Sequence, residues 1–433
     1  MKIIQSFWSK PAFHSVQDYN NARRFGGWLN FRYFLISSAL SCLTIRRHHK
    51  KISLYTDDDG KGLLIDMLQL PYDEVSLALN DLHDEDHRLW IKGKMIAIED
   101  QKDPFIHVDN DIYLWEPLPE SSHKDFLVAQ SRFPIWLQYK ASLNEIFANF
   151  SYIPKCLSER PTSSTMVANV GIVGGNDMDF FREFCETSHN LLEKNRQHLP
   201  VVDIGGFNQM MEEYLYTSLA RYKKRELTYL LEMRNTGFPV THIDFSLVPV
   251  VYKYIHLVGP NKQDGYACEQ LELRLKYEFP EYYQKVAAVM DQLQPESNPA
   301  VFTERQQRLT RALDVLYRTD LESLEKKKVR LAPNIEILTV TDFLGEHVSY
   351  VVKETDPRDG KVSYKNLSAQ AGGAAQYWLK FVDRPTSIAE ILERVKADHK
   401  TKTEGELDAL RTRIIDAIAT NLSQVGTIEF LNH

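Results

Sequence analysis

Two carboxylates stand two positions apart in Phe105-Ile106-His107-Val108-Asp109-Asn110-Asp111-Ile112-Tyr113-Leu114, directly behind an apolar run of strand type. In extended backbone alternate side chains point the same way, so Asp109 and Asp111 would face one ligand. Hard divalent cations such as Mn²⁺ or Mg²⁺ take oxygen ligands of this kind and share their shell with phosphate oxygens. Taken alone, the triplet is equally a capped or solvated turn. Far downstream, Tyr254-Ile255-His256-Leu257-Val258-Gly259-Pro260-Asn261-Lys262 offers the complement. There a His ends a strand, Gly259 permits close backbone approach, and Lys262 follows a short loop. Neutral imidazole can complete a Mn²⁺ shell begun by carboxylates, and a lysine ammonium is a compact point charge for phosphate. Near the start, Leu54-Tyr55-Thr56-Asp57 is another strand ending in an acid, placed to accept hydrogen bonds from a nucleobase or ribose. Its plain alternative is an acidic turn, Asp57-Asp58-Asp59-Gly60. An EF-hand is excluded, because the twelfth position counted from Asp57 is Leu68 rather than Glu.

These residues need a scaffold that brings strand ends together. Over residues 1–293 short apolar runs (Ile3–Ser6, Ile52–Tyr55, Phe105–Val108, Val170–Val173, Tyr254–Leu257) alternate with helical patterns, one of them carrying Phe180, Phe181, Phe184, Leu191 and Leu192 at helical period. Such alternation predicts an α/β layered domain with a mostly parallel sheet. In an open α/β sheet, the ends of the strands are where ligands bind. Residues 294–333 open with the linker-like Gln294-Pro295-Glu296-Ser297-Asn298-Pro299 and continue as one charged helix from Phe302 to Lys328. Residues 334–433 change rhythm again. Val348–Val352 and Lys361–Tyr364 flank the hairpin turn Asp356-Pro357-Arg358-Asp359-Gly360. Three helical patterns follow, the second opening with the capping box Ser387-x-x-Glu390. A final strand at Thr427–Leu431 completes a small α+β, winged-helix-like domain.

Composition narrows the classes. The 433 residues are 43% hydrophobic and 26% charged, which is globular and large enough for more than one domain. The net charge of −7 and the absence of a long basic stripe argue against nucleic acid. Four cysteines lie far apart without a C-x-x-C pair, as expected in a reducing, cytoplasmic setting. No stretch has the length of a membrane span, and the first residues carry no apolar signal segment.

With these motifs in view, residues 1–293 resemble a GT-A glycosyltransferase, closest in motif style to the glycogenin and bacterial galactosyltransferase group. The resemblance implies a Rossmann-like nucleotide-diphospho-sugar fold and transfer of a hexosyl group from a nucleotide-sugar, UDP-sugar foremost. It makes Asp109, Asp111 and His256 metal ligands, with Asn110 and Gly259 beside the cofactor. Lys262 would contact the diphosphate, and Thr56 and Asp57 the nucleoside. Gln263-Asp264 stands where the group carries Pro-Trp, which leaves the donor open. Trp90 and Lys94 resemble the W-x-x-x-K helix that precedes D-x-D in such enzymes. Ala168-Asn169-Val170-Gly171 resembles their N-x-G strand, and Asn208 and Gln209 are expected to hold donor-sugar hydroxyls.

Residues 334–433 resemble, in pattern rather than in an invariant motif, the PqqD-like recognition domain of peptide-modifying enzymes. That likeness implies a ribosomally made precursor peptide as acceptor, with a stabilising appendage as the plain alternative. Two other readings stay open at this stage. One is a peptide-binding adaptor with a degenerate transferase domain. The other is a D-x-D phosphatase, disfavoured because that motif normally lies near the chain start and continues to Thr or Val.

Overall fold

In the computed structural model, residues 1–13, 24–119, 126–162, 164–231, 245, 248–293, 304–333, 335–341, 348–355, 362–366, 377–398, 404–422 and 428–431 are described. They fall into two units, Met1–Ile243 with Ile255–Asn298 and Asp244–Tyr254 with Pro299–His433.

The first unit is a mixed α/β layer structure. Its strands are β1 (Lys2–Phe7), β2 (Ile52–Thr56), β3 (Glu74–Ser76), β4 (Phe105–Val108), β5 (Ile112–Leu114), β6 (Leu127–Pro134), β7 (Met166–Gly175), β8 (Thr228–Tyr229) and β9 (Tyr254–His256). Seven of them form one sheet in the order β3-β2-β1-β4-β7-β6-β8. The β3-β2-β1-β4 half is parallel, as the alternating pattern predicts. Beyond β4 the sheet departs from that expectation, since β7 runs antiparallel to both β4 and β6. β5 and β9 pair separately, so the His-bearing strand joins no part of the large sheet.

The parallel half is covered on both faces at its centre, where β2 and β4 are buried at every position; the edge strand β3 starts at the exposed Glu74. The helix Phe31–His48 packs on β5 and on the helix Gly265–Glu278. Asn30 starts it, accepting from the Tyr33 backbone amide at 3.2 Å. The helix Met178–Glu193 buries Phe180, Phe181, Phe184, Leu191 and Leu192 on one face, matching the spacing in the sequence. Its Phe181 ring lies 4.8 Å from that of Phe105, the first residue of β4. The strand that carries the aspartates is thereby anchored at its other end in the main core. Among the described residues no helix is long and apolar enough to cross a membrane.

The second unit holds β10 (Lys328–Leu331), β11 (Ile335–Thr341), β12 (Val348–Thr355), β13 (Val362–Asn366), β14 (Thr386–Ser387) and β15 (Ile428–Phe430). β11-β12-β13 form one antiparallel sheet and β14-β10-β15 another. The strands thus divide between two sheets. The hairpin turn Asp356–Gly360 lies outside the described residues, as does the linker at 294–299. Ser387 caps the helix Ile388–Asp398, its Oγ accepting from the Glu390 amide at 3.1 Å. The Glu390 carboxylate does not close the box but pairs with Arg384 and Arg394.

The charged stretch expected as a single helix is interrupted. Glu304–Tyr317 and Leu321–Lys326 are separate helices, and β10 begins at Lys328. The break has a local cause: Asp320 takes an extended backbone and its side chain accepts from the Ser323 amide at 2.7 Å, starting a new helix.

Close strand contact at β4 depends on a missing side chain. A Cβ on Gly174 would sit 2.2 Å from the Phe105 carbonyl oxygen, and backbone cannot yield as a flexible side chain can. Gly174→Ala should therefore destabilise the protein by about 1–3 kcal/mol, the usual range for overpacking. A urea titration followed by circular dichroism would read it, and an unchanged midpoint would contradict this account.

Candidate metal centre

β4 ends where charge must leave the core. The Asp109 amide still donates to Gly171 O on β7 at 2.8 Å, and Ile112 N donates back to Asp109 O at 3.3 Å, turning the chain into β5. Across that turn the Asp111 carbonyl accepts from Leu257 N at 3.0 Å, which sets the residue after β9 beside Asp111. One oxygen from each aspartate and one His256 ring nitrogen then lie within 4.8 Å of one another.

The bonding around His256 indicates what this trio accommodates. Its Nδ1 is 2.8 Å from Gln130 Oε1. An amide oxygen only accepts, so with Oε1 turned to the ring Nδ1 carries a proton, and the ring in its neutral form presents its lone pair on Nε2. Nε2 faces Asp111 Oδ1 at 3.3 Å, and that oxygen is buried without a hydrogen bond. In that form two lone pairs face each other in a buried site, and either a proton or a metal cation between them satisfies both. The donor set, two carboxylate oxygens and an imidazole, suits Mn²⁺ and is compatible with Mg²⁺. Gly171 leaves space for this: a Cβ there would lie 2.4 Å from His256 Cε1 and 2.6 Å from Gln130 Oε1.

Each carboxylate also holds a lysine. Lys94 Nζ lies 2.9 Å from Asp109 Oδ1, pairs with Glu212 Oε1 and donates to Val170 O at 2.8 Å. Lys262 Nζ lies 2.7 Å from Asp111 Oδ2. The oxygens left over are Asp109 Oδ2 and Asp111 Oδ1. The Asp109 side chain is 30% exposed, so ligands can reach it from solvent.

The electrostatics follow from burial and these pairs. Burial pushes the Asp109 carboxyl up to about 6, with Glu212 and Asp111 adding repulsion that Lys94 only partly offsets. Burial acts on Asp111 too, but the Lys262 ammonium outweighs it and holds that carboxyl below the usual range. Burial alone would lower Lys94, yet Asp109 and Glu212 raise it, so it stays charged. Burial, reinforced by Glu212, pushes the Glu213 carboxyl well above the usual carboxylate range against the pull of Lys94. His107, directly before this cluster, is buried and neutral, its Nε2 2.9 Å from Ser6 Oγ.

The other residues singled out in the sequence divide into two groups. Asn110 turns inward, donating to Ser6 O at 2.8 Å, and so ties the aspartate turn to the end of β1. Gly259 has φ +51°, which opens the short turn that aims Lys262. Thr56 donates to Phe7 O at 2.7 Å. Asp57 stands outside the trio: one oxygen caps the turn at Gly60 (2.9 Å), the other accepts from Ser9 N (3.0 Å) and Ser9 Oγ (2.7 Å). The Asn208 amide is fully used, accepting from Ile91 N at 3.3 Å and donating to Arg88 O and Ile204 O at 2.8 Å each. It fixes the start of the Lys94 helix. Gln209 is half-buried, and its carbonyl accepts from Tyr139 OH at 2.9 Å. Gln130 was not singled out in the sequence, although a lone amide inside Leu127-Val128-Ala129-Gln130 is the kind of buried polar residue that signals a site.

Two expectations follow. Lys94→Met leaves Asp109 and Glu212 buried without their counter-ion, and should cost about 3–5 kcal/mol of stability. Chemical denaturation measures it, and a loss under about 1 kcal/mol would show that the pair is solvent-screened. Divalent-cation affinity should also fall as pH drops. Proton and metal compete for Asp109, whose carboxyl titrates near 6. Affinity should be flat above pH 7 and weaken about tenfold per unit once well below 6. Calorimetric Mn²⁺ titrations from pH 5 to 8 would check this, and a pH-independent affinity would remove Asp109 from the ligand set.

Three solved structures to which this chain is similar are glycosyltransferases. The galactosyltransferase LgtC, in complex with donor and acceptor sugar analogs, matches with 8% identity and a TM-score of 0.27, covering 49% of this chain and 71% of that one. An active-site mutant of LgtC matches with 9% identity and a TM-score of 0.29, over 49% and 70%. Mouse xyloside xylosyltransferase 1, in its apo form, matches with 9% identity and a TM-score of 0.28, over 53% and 84%. No curated protein matches the sequence. A family pattern does, over residues 1–289: the chain belongs to DUF6734, described as a family of unknown function.

Proposed function

We propose that the protein is a metal-dependent glycosyltransferase that transfers a sugar from a nucleotide-sugar, with a UDP-sugar as the first candidate. The observation that carries this is the division of labour among five donor atoms. Asp109 Oδ1 and Asp111 Oδ2 are held by lysines. Asp109 Oδ2, Asp111 Oδ1 and His256 Nε2 are left to hold a cation. An acidic cation site with an ammonium group at its edge suits a metal-bound diphosphate. The D-x-D and His-x-x-Gly-x-x-Lys motifs, with the resemblance they bring, support the same reading.

In this proposal Asp109, Asp111 and His256 hold Mn²⁺ or Mg²⁺, with Asn110 and Gly259 shaping the loops that carry them. A bound divalent cation supplies positive charge against that which develops on the leaving diphosphate. Lys262 adds a second positive charge there, and Lys94 keeps Asp109 aimed. The nucleoside is assigned to the ends of β1 and β2, beside Thr56 and Asp57. Of the two residues expected on the sugar side, only Gln209 is retained. Among the described residues no hydrogen bond holds its amide, whereas that of Asn208 is spent on backbone. A precursor peptide bound by residues 334–433 is proposed as the acceptor on the strength of the sequence pattern.

Isothermal titration with UDP and Mn²⁺ tests the core of this. Wild type should bind UDP in a Mn²⁺-dependent way, and Asp111→Asn should lose more than about 100-fold, beyond the 10–100-fold typical of residues that merely support a ligand. Full affinity in that variant would misplace the site. Hydrolysis across a panel of sugar nucleotides would then identify the donor. Removing residues 334–433 should abolish peptide affinity while sparing UDP binding; loss of both points to a stabilising role for that region.

A further inference from the structure

The two lysines of the site are held in different ways. All three N–H groups of Lys94 have oxygen partners: Asp109, Glu212 and the Val170 carbonyl. Its side chain is 6% exposed and sits on a regular helix. That lysine is a fixed counter-ion. Lys262 has two oxygen contacts, Asp111 Oδ2 at 2.7 Å and Gly26 O at 3.2 Å. Its third side is the face of Trp28, with the ring centroid 5.7 Å away, a loose cation–π distance. It stands on the short 3-10 turn Gly259–Gln263, entered through Gly259 at φ +51°. The carbonyl it touches belongs to a loop whose Phe25, Gly26 and Gly27 all have positive φ (52°, 67° and 86°). For Phe25 that conformation is strained. Strain of this kind gathers in segments with more than one working arrangement.

Asp111 shares its two oxygens between Lys262, on Oδ2, and the face toward His256, on Oδ1. A divalent ion on Oδ1 and the ammonium on Oδ2 would be positive charges bridged by one carboxylate in a buried site, where repulsion is barely screened. A diphosphate arriving with the ion offers that ammonium an anionic partner outside the aspartate pair.

We propose that Lys262 is a displaceable stand-in for the metal: it neutralises Asp111 before a divalent cation binds and moves to the phosphate when one does. The inference rests on the glycosyltransferase reading and adds a consequence to it. The site resists the bare cation and accepts the cation together with a diphosphate, so each raises the affinity of the other. Lys94, caged by three oxygens, stays where it is.

The test is calorimetry on the full chain with Mn²⁺ alone, UDP alone and UDP at saturating Mn²⁺, for wild type, Lys262→Met and Lys262→Arg. A thermal melt verifies that each variant is folded. Wild type should show reciprocal coupling, and Lys262→Met should bind bare Mn²⁺ at least about fivefold more tightly, the lower end of typical coupling factors. The same variant should bind UDP with Mn²⁺ more weakly than wild type. Lys262→Arg keeps the charge and should leave bare Mn²⁺ affinity near wild type. If Lys262→Met proves unfolded, Lys262→Gln, which can still donate to Asp111, should give the same tightening in smaller degree. Unchanged or weakened bare Mn²⁺ binding in a folded Met or Gln variant overturns the stand-in role while leaving metal-dependent UDP binding intact. Wild type that binds neither Mn²⁺ nor UDP overturns the glycosyltransferase reading and this inference with it.

Discussion

Everything about the first unit is arranged around negative charge that has been taken out of water. Asp111 is 9% exposed, and Asp109 stands where a fully buried strand ends. Charges in such places cost several kcal/mol each unless they are paired and hydrogen-bonded. The pairing groups cannot come from β4 itself, because its neighbours in sequence are the apolar residues that build the sheet. They come from the helix Ile91–Glu99 and the turn Gly259–Gln263. The same constraint that keeps the fold neutral therefore gathers the chemistry at one place.

Topology explains why that place is the end of β4. In the parallel half β1 lies between β2 and β4, so the connections leave β1 and β4 in opposite directions along the sheet. Such a switch opens a crevice outside the strand ends, the usual ligand position in open α/β sheets. Asn110 and Ser6 fasten the two ends together across it. The antiparallel β7 then adds its own contribution from the other side. Its Gly171 leaves the room that His256 and Gln130 occupy, and its Val170 carbonyl completes the cage around Lys94.

Motif residues and supporting residues have traded parts along the way. Asp57 and Asn208 have the appearance of ligand-binding residues, yet their polar atoms accept from or donate to protein groups, mostly backbone. Asp57 caps the helical turn Asp58–Lys61, and Asn208 reaches across to the first amide of the helix Ile91–Glu99, where unpaired backbone groups need such partners. Gln130 carries no motif, and with Gly171 of the N-x-G stretch it sets the orientation and clearance of the His256 ring. The distinction between acting and supporting side chains is a matter of which atoms remain unspent.

Much was legible in the sequence. The parallel strands, the amphipathic helix Met178–Glu193, the capping serine at 387 and the trio Asp109, Asp111 and His256 all follow from local pattern, because periodicity, capping and strand-end acids are properties of neighbouring residues. The antiparallel insertion of β7, the separate pairing of β9 with β5 and the break at Asp320 did not follow from it. Strand partners are chosen by packing over long separations, and a single capping side chain can outweigh a long charged pattern. The sequence by itself determined which groups could bind a cation. Only the tertiary structure decided which oxygens are already held by Lys94 and Lys262 and which are left for a ligand, because burial makes each buried charge find a partner in space rather than along the chain.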